Sequence, residues 1–102
     1  MNTLTINIPA DLAPLIEDVE DRSDELMSRL WVIFTNGYGL SIIRGEYSYG
    51  YEQGLFEIAP INKHGELDGD LFDEDDQGDD VLGHADPEKI NYYMRKLALL
   101  PA

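Results

Sequence analysis

The chain has 102 residues, 43% of them hydrophobic, which is enough for one domain over residues 1–102 with a core of its own. It contains no cysteine, so disulfides, thiol chemistry and cysteine-ligated zinc are excluded. Twenty-one Asp and Glu against seven Lys and Arg leave a formal net charge of −14, which opposes direct binding to nucleic acid or to an anionic membrane.

In chain order, Thr3 to Ile8 alternate polar and apolar residues and predict a short strand. The opening "MNTLTINIPADL" has no basic n-region, and no segment approaches transmembrane length, so a cytosolic location is expected. Pro9 and Pro14 bracket a turn, and Pro14 suits the first turn of a helix. Leu15, Ile16, Val19, Leu26, Met27 and Leu30 then recur at helical spacing with acids between them. This pattern predicts an amphipathic helix over 14–29, with a break near Ser23.

"WVIFTN" (31–36) and "LSIIR" (40–44) are rich in β-branched and aromatic residues, and Asn36-Gly37 supplies a hairpin turn between them. "YSYGYEQG" (47–54) is a Tyr-rich, Gly-punctuated connection. "LFEIAPI" (55–61) predicts a third strand, and Pro60 suggests that its end lies at a sheet edge. At the C-terminus, Asp86 reads as an N-cap, Pro87 as the first helical residue and Glu88 as a favourable first-turn charge. Ile90, Tyr93, Met94 and Leu97 form an apolar stripe, which predicts a helix over 87–99. The expected fold class is α+β: a small antiparallel meander sheet of about three to four strands, packed by an N-terminal and a C-terminal helix.

Sixteen of the 21 acids fall in two blocks, residues 11–25 and residues 66–80. The second block, "ELDGDLFDEDDQGDD", holds nine carboxylates and no base. Asp73, Asp75, Gln77, Gly78 and Asp79 match positions 1, 3, 5, 6 and 7 of a calcium loop, but position 12 is His84 rather than a bidentate Glu. A divalent-cation module is therefore the weakest reading. General acid–base or two-metal chemistry needs carboxylates placed singly on rigid elements, whereas these form Gly-interrupted runs with Leu71 and Phe72 as anchors. His64 and His84 each sit beside a turn glycine and read as surface residues. No serine lies in a nucleophile elbow, and the glycines match no phosphate-binding fingerprint. The residues therefore point away from an enzyme, and they call for no cofactor and no bound metal.

What remains is recognition. Tyr47, Tyr49 and Tyr51 would share one face of a strand and, with Tyr38, form an aromatic protein-binding patch, or else ordinary surface. Glu17, Asp18, Glu20 and Asp21 in the first block, with Asp68, Asp70, Asp73, Glu74, Asp75, Asp76, Asp79 and Asp80 in the second, are the candidate partner-binding acids. On a helix, the first block would place one charge about every 3 Å, roughly half the density of duplex DNA. Such a field steers a protein onto a basic groove.

The pieces "SIIRGEYSYG" (41–50), "GLFEIA" (54–59) and "DDVLG" (79–83), in this order across 35–99, resemble a family of small phage and prophage proteins of uncharacterised function. The resemblance implies a viral accessory protein of the bacterial host cytoplasm and transfers no catalytic residues. Taken with the charge, it leads to a non-enzymatic phage accessory protein that inhibits a basic host protein or ribonucleoprotein, such as a CRISPR effector, by acidic mimicry. The alternative is a phage structural or assembly protein whose acidity serves solubility only. Self-association into a homodimer stays open in either case.

Overall fold

In a computed structural model, residues 7–45, 55–78 and 81–102 are described. The five strands are β1 (Ile16–Asp21), β2 (Met27–Phe34), β3 (Gly39–Gly45), β4 (Phe56–Ile61) and β5 (Leu82–Ala85). They form one antiparallel sheet in the order β1-β2-β3-β4-β5. One α-helix, α1 (Pro87–Ala98), follows β5. The α+β class and the C-terminal helix agree with the sequence reading. Among the described residues, however, the sheet has five strands rather than three to four, and the segment 14–29 forms no α-helix.

Residues 14–29 form the end of a 3-10 turn (Ala10–Leu15), the strand β1, a tight turn and the start of β2. Two physical features defeat the helical reading. A β-bulge between Ile16 and Asp18 inserts Glu17 as an extra residue, so Ile16 pairs with Phe34 and Val19 with Val32. Those two apolar residues therefore share a sheet face although they are three apart, a spacing that imitates a helix. At the turn, the Asp24 carboxylate accepts the backbone N–H groups of Leu26 and Met27 at 2.9 and 2.8 Å. That side-chain turn reverses the chain where a helix would have continued. The same two bonds hold the Asp24 carboxyl below its ordinary range.

The β2–β3 hairpin forms as predicted, with Gly37 at φ 94° in the turn. Gly39 opens β3 because a Cβ there would lie 2.7 Å from the Val32 carbonyl oxygen. Asn36 has a second task. Its side-chain amide donates to the carbonyls of Leu97 and Leu100 at 2.8 and 2.9 Å, tying the hairpin to the C-terminal end of α1.

The strand at 55–61 also forms, but it lies inside the sheet. Pro60 is tolerated there because its carbonyl accepts from Asp68 N (2.9 Å) on the side away from β3, where its missing N–H costs β3 no bond. In α1, Asp86 caps the helix by accepting Lys89 N at 2.8 Å, and Pro87 opens it. Its buried residues Ile90, Tyr93, Met94 and Leu97 pack on one sheet face against Val32, Phe34, Leu40, Ile42 and Ile58. Burying each such side chain contributes about 1.5–3 kcal/mol. The helix contacts β3, β4 and β5, leaving β1 at the far edge of the sheet. No helix among the described residues is long and apolar enough to cross a membrane.

Candidate functional site

The second acidic block begins as an extension of the sheet. Leu67 bridges Ile61, and Asp68 caps the short 3-10 turn Gly69–Leu71 by accepting Asp70 N at 3.1 Å. Phe72 is 2% exposed and meets the Tyr93 ring edge-on, with centroids 5.1 Å apart. Leu71 packs against the same core. Both anchors hold, and the buried Phe72 ring rests on α1.

The acids that follow do not all face outward. Asp73 accepts Lys96 Nζ at 2.6 Å and also accepts the Tyr92 hydroxyl. Asp76 accepts the Tyr93 hydroxyl and Lys89 Nζ, the latter at 3.3 Å. Tyr93 Oη in turn accepts Asp73 N at 3.0 Å, and Gln77 donates to the Phe72 carbonyl at 3.0 Å. Two carboxylates are thus stapled to α1 by four side chains of that helix. Lys96 and then Tyr92 hold the Asp73 carboxyl below its ordinary range. Desolvation, and then its bond to Asp76, push the Tyr93 hydroxyl up. The bond to Asp73 does the same for Tyr92.

The raised hydroxyls of these two tyrosines predict an alkaline limit on the fold. A group whose folded pKa is raised contributes stability that is present below its unfolded pKa, about 10 for Tyr, and is lost as pH rises beyond it. Unfolding followed by circular dichroism is expected to set in above about pH 10, and Tyr93→Phe should flatten that limb. An unchanged alkaline limb in the variant would remove Tyr93 as its cause.

Of the second block, Glu66, Asp70, Glu74 and Asp75 are left exposed, whereas Asp68, Asp73 and Asp76 are engaged within the chain. Asp79, Asp80 and the tyrosines at 47, 49 and 51 lie outside the described residues, as does most of the strand expected at Thr3–Ile8. Tyr38 is half-buried against the core, with Lys63 Nζ 5.5 Å from its ring centroid. Among the described residues, no three His or carboxylate side chains converge as metal ligands.

The first block forms a different surface. Glu17, Asp18 and Asp21 are exposed on β1, and Glu20 is half-buried. Arg22 donates to Glu20 at 2.7 Å while its guanidinium stacks 3.8 Å above the Trp31 ring. The side chain and N–H of Ser23 hold the Asp21 carboxyl below its ordinary range. Because the 69–71 turn lies beside β4, three strand spacings separate it from β1, about 14 Å. That exceeds the Debye length of about 8 Å at physiological salt, so the two acidic surfaces act separately rather than as one continuous field.

Compared with family models, curated proteins and solved structures, the chain matches none.

The pairing of the acidic loop with α1 was not foreseen from the sequence, although a signal was present. Lys89, Tyr92, Tyr93 and Lys96 recur at i, i+3, i+4 and i+7, a polar stripe of donors on a helix directly after a run of acceptors. The tyrosines that meet the acids are those of α1.

Proposed function

We propose that this protein is a non-enzymatic acidic binding protein that docks on the basic surface of a nucleic-acid-handling partner and occludes it. The observation that carries this reading is the segregation of charge. Exposed Glu17, Asp18 and Asp21 occupy one sheet edge, while Lys89 and Lys96 of α1 are consumed by Asp76 and Asp73. A predominantly acidic surface of this kind accelerates encounter with a basic groove and repels nucleic acid itself. The sequence resemblance to phage and prophage proteins supports a host defence or nucleic-acid enzyme, such as a CRISPR effector, as the target.

The test is capture from bacterial lysate at low and high salt, with duplex DNA as competitor. Wild-type protein is expected to retain basic nucleic-acid-binding proteins at low salt and to release them with salt or DNA. A β1 reversal variant (Glu17→Lys, Asp18→Lys, Asp21→Lys) is expected to lose at least about tenfold of that capture. Equal capture by the variant, or capture indifferent to salt, would remove the proposal and favour an assembly role in which acidity serves solubility.

A further inference from the structure

β1 ends the sheet on one side, and among the described residues no strand pairs with its outer edge. The direction of its backbone groups follows from the ladder. Arg22 N donates to the Arg29 carbonyl at 2.9 Å, so Arg22 faces β2, and in an antiparallel pair that orientation alternates. Glu20 opposite Trp31 and Asp18 opposite Ile33 therefore also bond inward, whereas Val19 and Asp21 turn their N–H and C=O groups away from β2. An edge with unpaired donors and acceptors is a template for another strand. Two side-chain features decide which one. Asp18 and Glu20 project on the sheet face opposite α1, where Arg22 already engages Glu20 and Asp18 stays exposed, while Val19 projects on the other face and is 44% exposed. Residues 17–21 of β1 hold four acids and no base, so a second copy would set carboxylates largely against one another, with Arg22 just past the strand as the nearby cation, which disfavours self-pairing.

We infer that the outer edge of β1 receives an extended, basic segment of a partner protein by strand addition. The added strand carries Lys or Arg on the face of Asp18 and Glu20 and an apolar residue beside Val19. This deepens the acidic-docking proposal and rests on it for the sign of the partner's charge. The backbone contact is separate from that reading and fails separately.

The probe is a synthetic octapeptide of alternating Lys and Val. Its control has the same side chains with alternate amides N-methylated, which keeps the charge and removes the strand donors. The unmethylated peptide is expected to bind at least about tenfold more tightly than the control, as a few backbone hydrogen bonds imply. It should also slow hydrogen exchange at the amides of Val19 and Asp21. Val19→Pro removes an outward N–H without touching the β2 ladder, and should bring the affinity of the two peptides together. Equal binding of the two peptides to wild type, with unchanged exchange at Val19 and Asp21, would overturn strand addition and leave acidic docking standing. Binding of neither peptide, or homodimerisation through β1, would overturn it as well. Because the exchange measurement uses wild-type protein, the inference can fail even if Val19→Pro does not fold. Acidic docking is judged independently by lysate capture with the β1 reversal variant.

Discussion

Phe72→Ala is expected to cost about 3–5 kcal/mol, the range for deleting a large aromatic side chain from a core. The Phe72 ring is 2% exposed and seats the acidic loop against Tyr93, so the cavity opens where loop and helix meet. For a domain of this size each kcal/mol moves the melting temperature by about 4–8 °C, so a fall of more than about 12 °C is expected in a thermal melt. Amide exchange at Asp73 and Asp76 should accelerate by more than exchange in β2 and β3, because the loop loses its apolar anchor before the sheet opens. A shift of only a degree or two would mean that the side chains of Asp73 and Asp76 hold the loop without Phe72.

Charge reversal within the loop should divide sharply between neighbouring residues. Asp73→Lys with Asp76→Lys removes the acceptors of Tyr92, Tyr93, Lys89 and Lys96 and places two new cations among existing ones. Asp76 is only 15% exposed at its side chain, so the cost approaches the figure for breaking a buried pair, about 3–5 kcal/mol. Glu74→Lys with Asp75→Lys alters exposed side chains and should stay within about 0.5 kcal/mol. Urea unfolding of the two double variants checks this directly. Equal stability would mean that the ion pairs to α1 are no stronger than ordinary surface pairs. The contrast also governs functional work. Reversing all four acids together would confound lost binding with a loosened loop, whereas Glu74 and Asp75 can be tested cleanly.

The parts legible in the sequence are those whose signals are local. Asp86, Pro87 and the stripe from Ile90 to Leu97 specify α1 because cap, first-turn proline and 3.6-residue period all concern neighbours within one or two turns. The β2–β3 hairpin is similarly local, since Gly37 and the β-branched runs around it agree. Residues 14–29 were not legible. A bulge at Glu17 shifts the two-residue period by one, and Asp24 turns the chain with its side chain, so the apolar spacing matches a helix that never forms.

Composition alone determined that the protein is strongly acidic and free of cysteine. Only the tertiary structure decided which acids face solvent. Asp73 and Asp76 turn inward because α1 offers two tyrosine hydroxyls and two ammonium groups within reach, while Glu74 and Asp75 between them find none and stay exposed. Likewise, Glu17 to Asp21 read as a helix face in the sequence and became a sheet edge in the fold. Hydrogen bonding to β2 satisfies one side of that segment, and among the described residues no strand pairs with the other side. Charge content is additive and can be read residue by residue. Its placement depends on contacts between segments distant in the chain, which no local pattern encodes.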